Sequence, residues 1–242
     1  SGVGFYGIGT LTATSVTGIT VTRTAASTAT YGSVLSGATG LTLEDSTFSQ
    51  DTAGITVIGD STGTSLGNVT IEPATLGVYL VGATNLQFGS SGKGNTIRNA
   101  GDTGMLAIGD LSGTVIRDSV FSGIGFGAIT LSGATGLQVG VVGGGNTFSD
   151  NTFGLFAGGD NAGTQVIANT YSNNTFGVRL SAAQNLTVGT TTSGEGNTIS
   201  DGGFGLYAIG DSTGTSVLGN SISNNTVNID TSGASGGTFQ TS

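Results

Sequence analysis

Apolar and polar residues alternate with a period of two in short runs along this chain, and glycine or asparagine closes each run. No stretch carries the i, i+3, i+4 spacing of an amphipathic helix. The run GITVIGDSTGTSLGN from Gly54 returns as GMLAIGDLSGTVIRD from Gly104, as GLFAGGDNAGTQVIAN from Gly154 and as GLYAIGDSTGTSVLGN from Gly205. This is a repeat of about 50 residues, divided into unequal halves of roughly 23 and 27. Short strands and glycine turns at that period predict a solenoid with one coil per half-repeat.

The columns of the repeat assign faces. Ile55, Val78, Met105, Ile129, Leu155, Val178 and Leu206 hold one position, and Val57, Leu80, Ala107, Leu131, Ala157, Leu180 and Ala208 stand two residues further on. Alternation points both sets into the interior. A second strand contributes Leu43, Leu66, Phe88, Ile116, Val139, Val166, Val188 and Val217. Between the two strands Gly40, Gly63, Asn85, Gly113, Gly136, Gly163, Asn185 and Gly214 mark a turn that needs left-handed backbone. A further column, Asp45, Asn68, Asn95, Asp118, Asn146, Asn169, Asn197 and Asn220, is expected to stack as a structural asparagine ladder at a second bend.

Composition narrows the class. The 242 residues include 47 Gly, one Pro, no Cys and no His. Fourteen acidic side chains face five basic ones, Arg23, Lys93, Arg98, Arg117 and Arg179, for a net charge of −9. That balance excludes nucleic acid and anionic membrane as partners, because both require clustered Lys and Arg. No apolar run reaches the roughly 20 residues of a membrane-spanning helix. The absence of Cys leaves the redox compartment open, while many Ser, Thr, Asn and Gly residues fit a secreted or cell-surface bacterial protein. No signal peptide is visible, and neither end carries a capping helix. The chain therefore reads as a single solenoid domain over residues 1–242, taken from a longer repetitive protein.

The stretches GNTIRN from Gly94, GNTFSDN from Gly145, GNTIS from Gly196 and GNSISNN from Gly219 resemble the repeat-rich secreted bacterial proteins of the pectate-lyase-like superfold. The resemblance implies an all-β, single-stranded right-handed parallel β-helix of nine or ten coils. The right-handed crossover rule agrees. The same fold hosts polysaccharide lyases, hydrolases, adhesins and passive stalks, so it implies no single activity.

Candidate chemistry is thin. Asp60, Asp110, Asp160 and Asp211 each sit in a GD-x-x-G turn at alternate coils, with Asp51, Asp102, Asp150 and Asp201 forming a second set near the third bend. Neighbours two coils apart stand about 9.6 Å away and cannot share a calcium ion, although each turn has oxygen donors for one weakly held ion. Asx turns explain the same residues without any cofactor. Paired-carboxylate hydrolysis needs one special site rather than a periodic row. The outward positions of the first strand are mixed: Tyr6, Tyr79, Leu106, Phe156, Arg179 and Tyr207, with Val34, Thr56 and Thr130 between. Such a stripe is a candidate contact surface for another solenoid or for sugar rings. Residues 89–94, 140–145 and 189–196 add short loops, and Val141 with Val142 is expected to bury against a neighbour. Ice binding requires a regular Thr array on a flat face, and the outward columns are too mixed for it. The reading is an extracellular structural or adhesive module without catalytic activity, which acts by self-association or by contact with neighbouring solenoids. A polysaccharide-binding or polysaccharide-processing β-helix is the alternative.

Overall fold

The computed structural model describes residues 3–22, 31–72 and 74–241. Among these residues there are 26 strands and no helix, joined in one continuous parallel array. Each coil has three faces. The first is built from ten long strands, such as Thr103–Asp110, Phe153–Asp160 and Phe204–Asp211. Short pairs such as Val115–Ile116 and Gln165–Val166 make the second face. Triplets such as Thr147–Ser149 and Thr170–Ser172 make the third.

The predicted interior columns are interior. Ile55 pairs with Val78, Val78 with Met105, Met105 with Ile129 and Ile129 with Leu155, and all five are fully buried. Behind the third face runs a column that includes Phe48, Ile97, Phe121, Phe148 and Tyr171. There the rings of Phe121 and Phe148 stack at 5.2 Å, and those of Phe148 and Tyr171 at 4.7 Å. Tyr171 is fully buried and its hydroxyl has no hydrogen-bond partner.

The corners are where the sequence does its most specific work. At the first, the Gly/Asn turn column has φ between +55° at Asn185 and +75° at Gly40, the left-handed backbone that its composition predicts. The following position alternates Leu and Thr from coil to coil. The hydroxyl of Thr164 accepts the N–H of Leu137 at 3.2 Å and donates to the carbonyl of Ala134 at 2.6 Å, both in the preceding coil. Thr64 and Thr215 repeat the pair of bonds. Thr114 does the same with Leu86 and Ala83. One Thr thus satisfies two buried backbone groups of its neighbour, and the two-coil period follows from that alternation.

At the second corner, the N–H and the amide Nδ2 of Asn146 both donate to Asn169 Oδ1, at 2.9 and 3.0 Å. The amide of Asn169 also reaches the carbonyl of Val139 at 2.9 Å. Asn169, Asn197 and Asn220 continue the ladder, and Asn95 accepts from Val69 in the coil before it. Asn68 and Asp118 differ from the expectation. Strand register places them, with Asp45, one residue ahead of the ladder, at φ of +54°, +53° and +51°. There the side chain turns outward: Asn68 Nδ2 bonds Asp45 Oδ1 on the surface at 3.0 Å. The ladder position of those coils is filled by Val69, Ser119 and Ser46. The recurring glycine of the GNT stretches has a separate cause. A Cβ on Gly94 or Gly145 would overlap the carbonyl oxygen of Asp118 or Ala168 in the next coil.

A second ladder occupies the third corner. Asn151 donates its N–H and its amide to Asn174 Oδ1, both at 3.0 Å, and Asn174 bonds the carbonyl of Phe148 at 2.9 Å. Asp51 falls on this same ladder position, whereas Asp150 and Asp201 stand one residue before it and Asp102 two residues beyond it. They are not one column.

Asn169→Ala leaves the buried N–H of Asn146 unpartnered and removes one of two bonds to the carbonyl of Val139, which the N–H of Ile167 still reaches at 2.9 Å, so it is expected to lower unfolding stability by about 2 kcal/mol. Asn68→Gly keeps the left-handed backbone and loses only a surface bond, so its effect is less than about 0.5 kcal/mol. Urea titrations of the two variants check the contrast. In the same assay Tyr171→Phe removes an unbonded buried hydroxyl and is expected to raise stability by about 1 kcal/mol.

Candidate functional site

The outward column of the first face runs in register through Thr56, Tyr79, Leu106, Thr130, Phe156, Arg179 and Tyr207. It is less open than the sequence pattern suggests. Tyr6 is 58 % exposed, but Tyr79, Leu106, Phe156, Arg179 and Tyr207 are half-buried, and Thr56 is buried.

Burial in the C-terminal half comes from a second set of rings that alternation overlooks. Phe126, Phe153, Phe176 and Phe204 each precede a glycine. At this corner the glycine faces the interior: a Cβ on Gly154 would lie 2.6 Å from the Tyr171 ring. Two successive positions, Gly154 and Leu155, therefore point inward, and the preceding Phe swings out beside the column. The rings form a ladder, with Phe126–Phe153 at 4.9 Å, Phe153–Phe176 at 5.1 Å and Phe176–Phe204 at 4.9 Å between centroids. Phe156 and Tyr207 close on it at 5.5 Å from Phe153 and Phe204. Phe-Gly recurs in register at Phe153, Phe176 and Phe204, whereas Phe126 stands one residue earlier, with Gly127 paired to Phe153 and Ala128 at the interior position.

Arg179 lies at the middle of this cluster. Its guanidinium carbon is 5.3 Å from the Phe153 ring centroid, 5.5 Å from those of Phe176 and Tyr207, and 5.8 Å from that of Phe156. Its Nε is shielded from solvent and has no hydrogen-bond partner. The other described cations are matched by carboxylates. Lys93 reaches Glu44 two coils back at 2.7 Å, Arg98 meets Glu72, and Arg117 meets Asp118 at 2.7 Å. Arg23 lies outside the described residues. Among the described residues Arg179 forms no ion pair, so its charge is held by ring quadrupoles in a partly dry setting. That arrangement favours an incoming carboxylate, because a desolvated guanidinium attracts an anion more strongly than a hydrated one does.

The acidic turns are locally occupied. Oδ1 of Asp60 accepts the N–H and the hydroxyl of Thr62, at 3.0 and 2.7 Å. Asp110 does the same with Ser112 and Asp211 with Thr213. These bonds, the hydroxyl first and the backbone N–H second, hold the three carboxyls below the ordinary Asp value. Asp160 has Ala162 at the hydroxyl position and instead accepts Asn185 Nδ2 at 2.9 Å. Among the described residues, no three acidic side chains gather around a point that could hold a metal ion. The inserted loops stand on the second corner. Val142 does not bury as expected; it is 59 % exposed at the loop tip, beside the backbone of Gly194 two coils on. The loop at 189–196 walls a shallow hydroxyl-lined cleft of about 410 Å³, in which Thr190 Oγ1 bonds Glu195 at 2.6 Å.

A continuous parallel coil stack with one aromatic face defines a parallel β-helix protein. Residues 76–241 match the right-handed β-helix region family, and the chain belongs to it. Among solved structures it is similar to two mutants of the periplasmic alginate epimerase AlgG. The T265N T268M double mutant superposes with a TM-score of 0.70 at 12 % identity, over 99 % of this chain and 70 % of that one. The D317A mutant gives 0.65 at 14 % identity, over 88 % of this chain and 61 % of that one. The chain thus spans about three-fifths of the latter's length, and at these identities the likeness is one of fold. No curated protein matches the sequence significantly. No helix among the described residues is long and apolar enough to cross a membrane.

A folded-state pKa below the unfolded value adds stability above about pH 4, and that stability is lost as pH falls through the folded pKa. The Asp110→Ala variant is therefore expected to unfold at lower urea than the parent at pH 7. The gap should narrow at an acidic pH below about 4, as the parent carboxyl takes up its proton. Urea midpoints at the two pH values check this.

Proposed function

We propose that this chain is a rigid, non-catalytic β-helical module that acts outside the cytoplasm by spacing and adhesion, with the Arg179 ring cluster as its contact surface. The observation that carries the reading is the unpaired guanidinium among four rings. On a chain of net charge −9, it is the described cation whose carboxylate is missing. A partner that supplies a carboxylate and an apolar surface completes the site. The surface Asp residues and exposed apolar side chains of a second solenoid supply both. The commitment of Asp60, Asp110 and Asp211 to their own turns supports contact rather than turnover. A location outside the cytoplasm agrees with the low charge and with the periplasmic epimerase of similar fold.

The same cluster favours a second reading, an acidic polysaccharide. The CH faces of its sugars would lie on Phe156 and Tyr207 while a uronate carboxylate met Arg179. Alginate, on which AlgG acts, has this chemistry. The two partners separate in one experiment. Arg179→Gln and Phe156→Ala are expected to weaken self-association by at least about tenfold in sedimentation equilibrium, with melting curves unchanged. If instead retention on an alginate gel is lost and sedimentation stays the same, the partner is the glycan. If neither measurement moves, the contact surface is misassigned. Turnover of a polysaccharide that disappears in Asp110→Ala or Asp160→Ala would overturn the non-catalytic reading.

A further inference from the structure

The first face carries a second charge that the ring cluster does not use. Three outward columns of this face pass through Phe176, Arg179 and Ser181. Among the described residues they hold one cation and one anion. The cation is Arg179. The anion is Asp230, in the same column and two coils on, with Tyr207 between them. The two do not meet within the chain. The Arg179 guanidinium carbon lies 5.5 Å from the centroid of the Tyr207 ring, while Asp230 Oδ1 accepts the N–H and the hydroxyl of Ser232 at 3.1 and 2.7 Å. These bonds, the hydroxyl first, hold the carboxyl below the ordinary Asp value, so it is ionised at neutral pH. Its other oxygen, Oδ2, is left for an outside donor.

Opposite charges placed evenly about a third residue fit a two-fold axis. In an isologous pair the same patch serves both copies, so residue i meets j while j meets i. An axis between two first faces, directed along the strand Phe204–Asp211, makes the stacks antiparallel and lays each column over itself. The coil before that strand then faces the coil after it. Arg179 of each copy meets Asp230 of the other, Phe176 meets Val227, and Phe204, Tyr207 and Ile209 meet themselves. Opposite charges and apolar side chains coincide in one register. Asp211, at the end of the axial strand, is bonded within its own chain to Thr213 and Gln184. Other registers fail on the same two charges. Parallel stacks with this column on itself set Arg179 against Arg179, and antiparallel stacks overlapped from end to end set it over Thr56.

We infer that the occupant of the Arg179 cluster is a second copy of this chain, docked antiparallel about the strand Phe204–Asp211 with reciprocal Arg179–Asp230 pairs. This rests on the contact reading of the cluster proposed above and fixes its geometry. Four rings already shield Arg179 from water, so pairing with Asp230 avoids much of the cost of drying a guanidinium. The overlap covers the three strands Phe176–Gln184, Phe204–Asp211 and Val227–Ser235. That is about 14 Å along the stack and about 27 Å along the strands. Such a patch is at the small end of protein interfaces, so the pair is weak and forms at high protein concentration.

The test uses the full chain, whose lack of Cys lets single thiols report which residues face each other. Packed sheets stand about 10 Å apart, a gap that a short bis-maleimide spans and a disulfide does not. The reagent is expected to join two copies through Ile209→Cys, which lies on the axis. It should not join them through Ile108→Cys, in the same column four coils away. Charge reversal supplies the second arm. Arg179→Asp alone opposes carboxylate to carboxylate, and Asp230→Arg alone opposes guanidinium to guanidinium. Each is expected to weaken self-association at least about tenfold in sedimentation equilibrium. Mixed one to one, the two variants complement each other at both contacts and should associate like the parent. If a reversed variant does not fold, the thiol pair decides alone, because neither isoleucine belongs to the ring cluster. Ile209→Cys that cross-links no more than Ile108→Cys overturns the inference, as does a mixture of folded variants that stays dissociated. In either case weaker self-association of Arg179→Gln would still uphold the contact reading. Self-association that Arg179→Gln leaves unchanged overturns both.

Discussion

Each corner of a coil turns backbone N–H and C=O groups toward an apolar interior, where an unpaired group costs on the order of 1–3 kcal/mol. Strand ladders leave part of this bonding capacity unmet, because the chain is leaving one strand direction for another. In this protein adjacent coils supply side chains that meet it. Thr164 bonds both Leu137 and Ala134, Asn169 bonds Asn146 and Val139, and Asn174 bonds Asn151 and Phe148. Every such bond runs between coils, so it fixes register as well as satisfying the group.

Function follows from which faces that constraint leaves free. The ladders sit at the second and third corners, at both edges of the third face, and permit no bulge there. The first face has more slack. Alternate coils carry one extra residue in the turn, the GD-x-x-GT segment, and register shifts absorb it. Asp fits that longer turn because its carboxylate closes a local ring with the residue two positions on. The GD-x-x-G row of Asp is thus a consequence of turn length, and Asp60, Asp110 and Asp211 are bonded inside the turn.

Repetition does have one exception. Along the outward column of the first face, Arg179 replaces a neutral residue just where three successive Phe-Gly corners bring extra rings alongside. A cation shielded by rings and lacking a carboxylate is unlike anything at the equivalent positions of other coils.

The period, the interior columns, the left-handed turn positions and the acidic turns were all legible in the chain, because each depends on residues close in sequence. Gly40 and Asn85 announce positive φ by their own sterics, and Val78 announces the interior by alternation. The ladder was legible only to within one residue: Asn68 and Asn95 look alike in sequence, yet one lies before the bend and points out while the other lies after it and points in. Corner geometry alone decided that. The same holds for Phe153 and Phe176, which alternation would have placed inside and which a glycine corner turns outward onto Arg179. Spacing along the chain encodes what a residue does within its own coil. What it meets in the next coil depends on the angle of each bend, which exists only once the coils are stacked.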